Sequence, residues 1–153
     1  LFELPGDVER TLFFDFLPVQ VGQIRDFKTR FHLFTVPGQV VYDASRKLIM
    51  KGLDGVIFVA DSQAERMEEN LQSLQNLEKN LEQHGYDIQN IPLVFQYNKR
   101  DLPNALPVAE LRNQLNKYNA PDFEGRASEG AGVMESLKSV SKSIITVLKG
   151  GDI

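Results

Sequence analysis

Hydrophobic and polar residues alternate in two runs near the start of the chain. Within residues 10–17, Leu12, Phe14 and Phe16 fall on one face. Within residues 27–36, Phe27, Thr29, Phe31, Leu33 and Thr35 share one face, and Lys28, Arg30 and His32 the other. Alternation of this kind predicts half-buried strands. The short link around Val21, Gly22 and Gln23 predicts that they pair antiparallel. The pattern then changes. Residues 41–51 fit a short helix, with Gly52 as its left-handed cap. Residues 55–60 are continuously apolar, which predicts a parallel strand buried on both faces. Ser62 and Glu65 have the spacing of a capping box, and Met67, Leu71, Leu74 and Leu81 follow at helical spacing up to Gly85. Residues 93–97 form the next apolar run. Pro107 suits the first turn of a helix whose inner stripe is Val108, Leu111 and Leu115. A weak strand is expected at residues 123–127. Val133, Leu137, Val140, Ile144 and Leu148 line one face of a last helix.

Strands that alternate with helices predict an α/β fold, with a mostly parallel sheet, one antiparallel strand pair and helices on both sides. Such sheets bind ligands beyond the carboxyl ends of their strands, so polar motifs that directly follow a strand carry the most weight. The length of 153 residues allows one domain spanning 1–153 and is short for two.

Composition narrows the chemistry. Hydrophobic residues make up 42% and charged residues 25%, as in an ordinary globular domain. A net charge of −4 argues against nucleic acid as a partner. There is no cysteine, and His32 and His84 are the only histidines, which argues against thiolate chemistry and a transition-metal site. Both histidines read as surface groups. Glu65, Glu68, Glu69, Glu78 and Glu82 read as one solvated helix face. No apolar run is long enough for an integral membrane segment, and the cytoplasm is the expected compartment.

Two motifs follow strands. Asn98-Lys99-Arg100-Asp101 comes directly after the run ending at Tyr97 and matches N-K-x-D. A carboxylate at Asp101 can accept two hydrogen bonds from guanine, one from the ring N–H and one from the exocyclic amine. Adenine offers no such pair, and charge-assisted bidentate bonds are the strong kind. The Lys99 stem can cover the base, and Asn98 can tie loops together. The same four residues also compose an ordinary Asn/Asp turn; placement after a buried strand separates the two readings. Thr35-Val36-Pro37-Gly38-Gln39 follows the second strand. In small GTPases the corresponding segment is D-x-x-G-Q, whose Gly meets the γ-phosphate and whose Gln orients water.

These segments, with Tyr42-Asp43-Ala44-Ser45-Arg46-Lys47-Leu48-Ile49, Phe58-Val59-Ala60-Asp61-Ser62 and Gln96-Tyr97-Asn98-Lys99-Arg100-Asp101-Leu102-Pro103, closely resemble the MglA-type GTPases of bacterial gliding motility. Thr35 in place of Asp is a trait of that family. Arg10-Thr11-Leu12-Phe13-Phe14-Asp15-Phe16 resembles its first switch and second strand. The resemblance implies a Ras-like P-loop GTPase fold and a GTP-binding, GTP-hydrolysing switch that controls cell polarity or gliding motility. It implies GTP or GDP and Mg²⁺ as ligands, with Thr11 on the metal. Arg10 would be an arginine finger supplied in cis, and Gln39 would position water. Gly38 would sense the γ-phosphate. Asn98, Lys99 and Asp101 would hold guanine, and Ala127 and Ser128 would close over its carbonyl. The implied partners are a roadblock-fold GTPase-activating protein of the MglB type and motility or polarity effectors, with recruitment to the cell poles.

Residues 1–153 contain no G-x-x-x-x-G-K-[ST] loop, which cradles phosphates with backbone N–H groups. The first strand, the P-loop and the first helix are therefore expected ahead of Leu1, and residues 1–153 by themselves are expected to be inactive. The alternative is a non-catalytic pseudo-GTPase scaffold that uses the same surface without nucleotide, or a truncated remnant that does not bind nucleotide.

Overall fold

The computed structural model describes residues 16–24, 27–35, 50 and 52–150. The chain divides into two compact units, Leu1–Leu53 and Asp54–Ile153.

In the first unit, β1 (Phe16–Ile24) pairs antiparallel with β2 (Phe27–Phe34), from Phe16 opposite Phe34 to Ile24 opposite Phe27. The expected antiparallel pair is present, but its link is not at Val21-Gly22-Gln23: Gly22 lies opposite Thr29, inside the ladder. Pro18 lies within the ladder, opposite His32, and a strand with a single neighbour among the described residues can accommodate a proline. A register shift between Gln20 and Gly22 absorbs the odd residue as a bulge. Residues 10–15 of the strand expected at 10–17, and the helix expected at 41–51 apart from Met50, lie outside the described residues. Gly52 has φ +74°, the left-handed conformation expected of it.

The second unit is a three-stranded parallel sheet in the order β3 (Val56–Asp61), β4 (Leu93–Asn98), β5 (Asp122–Glu124). Helix α1 (Met67–Gln83) connects β3 to β4, α2 (Val108–Leu115) connects β4 to β5, and α3 (Val133–Leu148) follows β5. Residues of one parity, Phe58, Ala60, Leu93, Phe95 and Tyr97, form a core with Leu74 of α1 and Leu111 and Leu115 of α2. The Phe58 and Phe95 rings meet at 5.5 Å, and Tyr118 stacks on Phe95. On the opposite face, α3 packs against all three strands through a stripe that includes buried Leu137, Val140 and Ile144. Helices therefore cover both faces of the sheet, as alternating patterns predict.

Four expectations change in detail. Burial on both faces belongs to β4, where Leu93 through Tyr97 are all buried, while Val59 of β3 is 54% exposed. β4 has a neighbour on each side; β3 pairs only with β4 among the described residues. The last strand is Asp122–Glu124, not 123–127: Arg126 bridges Ala131 around the 3₁₀ turn Ala127–Glu129 instead of continuing the strand. Ser62 is no capping residue. It is fully buried, and its backbone joins Asn98 and Leu106. A 3₁₀ turn, Ala64–Arg66, leads into α1 without a side-chain cap. Glu78 leaves the solvated face of α1 to accept a hydrogen bond from the Tyr118 hydroxyl, which needs an acceptor once its ring is stacked.

Candidate functional site

The sequence-predicted residues Asn98, Lys99, Asp101, Ala127 and Ser128 all lie beyond the carboxyl ends of β4 and β5. That is where an open parallel sheet gathers its ligand-binding loops. Arg10, Thr11, Gly38 and Gln39 lie outside the described residues.

The loop after β4 is built residue by residue. Asn98 ends the strand, and its Oδ1 accepts the Ala127 N–H at 2.9 Å, which ties the β4 and β5 loops together. Lys99 turns the chain with φ +64°, a left-handed conformation in a residue that carries a Cβ. Such a conformation costs on the order of 1–3 kcal/mol and persists only where its surroundings over-determine it. Here they do. The Lys99 ammonium meets Asp61 Oδ2 at 3.1 Å, and the Lys99 carbonyl accepts the Leu102 N–H. Asp61 is itself fixed: it accepts from the Gln63 N–H at 3.0 Å and from the Gln63 side chain, and its backbone exchanges two hydrogen bonds with the Asn70 amide.

Arg100 faces the other way. Its N–H donates to the Gly125 carbonyl at 3.1 Å, its Nε meets Glu124 Oε1 at 3.2 Å, and its Nη1 donates to the Leu106 carbonyl. Leu106 in turn donates its N–H to Ser62, directly after β3. Asp101 is exposed, and its carboxylate accepts no hydrogen bond from the described residues. Three consecutive side chains are thus anchored and the fourth is left with its acceptors unused.

Beneath the loop, Tyr97 donates to Asp122 Oδ2 at 2.9 Å, and Arg112 grips both oxygens of that carboxylate at 2.7 and 3.0 Å. Burial first, then the hydrogen bond to Asp122, pushes the Tyr97 hydroxyl far above its ordinary range, so it stays a neutral donor. Burial works to raise the Asp122 carboxyl, but the bonds from Arg112, Tyr97 and Asn116 outweigh it and hold it below its usual value.

The loop after β5 is shaped by glycines. Arg126 and Ala131 exchange backbone bonds around the 3₁₀ turn Ala127–Glu129, with Gly130 and Gly132 at φ +78° and +83°. This turn presents Ala127 and Ser128, both exposed.

Asp61 and Arg100 were not singled out by sequence reasoning. A carboxylate directly after the apolar run at 55–60 was the available signal for Asp61. Arg100 occupies the unspecified position of N-K-x-D, where pattern matching carries no information.

A family model described as the ADP-ribosylation factor family, Arf, matches residues 13–144. The chain is 61% identical over 151 residues to the mutual gliding-motility protein MglA of Myxococcus xanthus (strain DK1622), covering 99% of this chain and 77% of that protein. It is 38% identical over 85 residues to ADP-ribosylation factor-like protein 4C of Homo sapiens, 55% of this chain and 42% of that protein. Against ADP-ribosylation factor-like protein 4A of Homo sapiens the identity is 34% over 86 residues, 56% of this chain and 40% of that protein. A strained, anchored N-K-x-D loop at the carboxyl edge of a parallel sheet, matched along nearly the whole chain, leads to one assignment: the chain belongs to the Arf family of Ras-like small GTPases, as a relative of the MglA type.

Proposed function

We propose that the chain is a GTP-binding, GTP-hydrolysing switch that controls gliding motility or cell polarity. The observation that carries this reading is the Asp101 carboxylate, exposed and without a hydrogen-bond partner among the described residues, on a loop whose other side chains are anchored. An acceptor held in place without an internal partner is preorganised for a donor pair on a ligand. Guanine supplies that pair, Lys99 covers the base, and Ala127 with Ser128 closes over its carbonyl. The Ala127 N–H already serves Asn98, so that closure relies on the turn as a whole rather than on this single donor.

The reacting end of the nucleotide falls to residues outside the described part. By family resemblance, Gly38 senses the γ-phosphate, Gln39 orients the attacking water, Arg10 offsets charge that develops between the phosphates, and Thr11 contributes a hydroxyl to Mg²⁺. Mg²⁺ characteristically takes few protein ligands and the substrate phosphates, so one hydroxyl is a chemically sufficient share for this segment. A GTPase-activating partner of the MglB type, motility or polarity effectors, and recruitment to the cell poles belong to the same proposal. No helix of the described residues is long and apolar enough to cross a membrane.

The test is nucleotide titration of the full-length protein and its Asp101→Asn variant with GTP and XTP. Xanthine presents a carbonyl where guanine has its amine, so the variant should lose guanine preference and gain xanthine. Unchanged guanine preference would refute the assignment of Asp101. Gln39→Leu and Arg10→Ala should leave binding intact and each slow single-turnover hydrolysis by at least about tenfold with the activating partner present. Parent-like rates in both would remove the catalytic roles.

A further inference from the structure

We propose that Arg100 is a positioning residue for guanine selectivity: it locks the loop carrying Asp101 to the strand that leads into Ala127 and Ser128, so that both sides of the base site move as one body. The inference rests on the guanine-binding reading and goes beyond the motif, which leaves this position unspecified.

Arg100 sits where three strand ends meet. Its guanidinium reaches Glu124 at the end of β5 and the carbonyl of Leu106, whose own N–H is bonded to Ser62 at the end of β3. Its backbone N–H holds Gly125. The Arg100 side chain is only 17% exposed, unlike that of Glu124 at 63%. A planar, forked cation can hold two acceptors in different directions at once; an ammonium cannot reproduce that geometry. The adjoining residue makes this consequential. Lys99 is in a left-handed conformation, so the peptide entering Arg100 is strained, and a small rotation there swings the next side chain, Asp101. Bidentate recognition tolerates little such rotation. The Asn98–Ala127 bond and the bond from the Arg100 N–H to Gly125 tie the two loops at the backbone of the second, and the Arg100 guanidinium adds a side-chain tie to Glu124. The added tie restrains the rotation at Lys99 that the other bonds permit.

Selectivity between GDP and IDP reads this directly. Inosine keeps the ring N–H and lacks the exocyclic amine, so their affinity ratio reports whether Asp101 makes its second bond. The full-length protein should favour GDP by about tenfold or more, the worth of one charge-assisted bond. Arg100→Ala should compress that ratio by about threefold or more, with the GDP affinity falling more than the IDP affinity. Arg100→Lys should fall between, since it keeps the charge toward Glu124 and loses the fork. Glu124→Gln should shift the ratio least, because that pair is the more exposed. A lowered melting temperature in Arg100→Ala with an unchanged GDP-to-IDP ratio, in this variant and in Arg100→Lys, would reduce Arg100 to a structural residue and overturn the proposal. A parent protein that binds neither nucleotide overturns the guanine reading, and this inference with it.

Discussion

The two loops proposed to hold the base are kept in place by different physics. The loop after β4 depends on side chains: an amide at Asn98, an ion pair at Lys99 and a guanidinium at Arg100. The loop after β5 depends on backbone lying against backbone. A Cβ on Gly132 would stand 2.2 Å from the Glu124 carbonyl oxygen, whereas one on Gly125 would meet a side chain, Gln96 Nε2, at 3.0 Å. The first arrangement can be adjusted by exchanging one charged group for another. The second admits no side chain at its tightest point. One loop is therefore a place where selectivity can be tuned, and the other a fixed wall against which it is tuned.

The sharpest way to break this contrast is Gly132→Ala. The added methyl meets a backbone oxygen that cannot swing away, at a φ of +83° that already disfavours any Cβ. A loss of about 4 kcal/mol is expected, in the range reserved for strain and overpacking. Gly130→Ala shares the positive φ but meets nothing within 4 Å, and should cost about 1 kcal/mol. Denaturant melts of both variants measure the difference. Equal losses would mean that conformation, not close approach, decides this loop.

Next in size is Asp101→Ala. It should weaken guanine nucleotide about a hundredfold, since both charge-assisted hydrogen bonds are removed. The nucleotide-free melt should not move, because the carboxylate has no partner among the described residues. Calorimetric titration and a thermal melt of the same sample check both halves. A large drop in stability would show that the loop after β4 is as rigidly built into the fold as the loop after β5.

Much of this was legible in the sequence. The period of the apolar residues located α1, α2, α3 and β4, because each buries one stripe or one run against the sheet. The place of the N-K-x-D residues could be read, because the apolar run that precedes them is the buried strand β4. Boundaries set by backbone detail were not legible. After β5 the chain bridges Arg126 to Ala131 and lays Gly132 against the Glu124 backbone, contacts that apolar periodicity does not encode. The bulge in β1 hid a strand behind Pro18 and Gly22. Ser62 fits a capping box in sequence, yet tertiary burial enlists its backbone to join three segments. The Asp61–Lys99 and Arg100–Glu124 pairs link residues that only the sheet brings together.

A smaller effect follows from the carboxylate beneath the β4 loop. Asp122 is held below its ordinary value, so the folded chain binds fewer protons there than the unfolded chain does. Its contribution is complete above the ordinary value of 3.8 and is lost as the pH falls through the depressed one. Asp122→Asn should therefore melt lower at neutral pH, by roughly 4 °C or less, and the gap to the parent should narrow as the medium is acidified into that window. A gap that is constant with pH would separate Asp122 from the stability of the loop above it.

The smallest expected effect tests whether the tunable loop is tuned by charge alone. Asp61→Asn keeps the size of the side chain and an oxygen that can still accept from Gln63, and removes only the charge that faces Lys99. The Lys99 and Asp61 side chains are 32% and 22% exposed, so water screens the pair and its worth is modest. Release of GDP from the full-length protein should quicken by about threefold, with the GDP-to-IDP ratio unchanged, because Lys99 covers the base without reading its edge. Lys99→Met should release GDP faster still, and adding Asp61→Asn to it should change nothing more, since the partner has already gone. Stopped-flow measurement of a fluorescent GDP analogue supplies the four rates of this cycle. Additive effects would mean that Asp61 acts on the nucleotide by a route other than Lys99. A ratio that moved with Asp61 would mean that the covering residue and the reading residue of this loop are not separable.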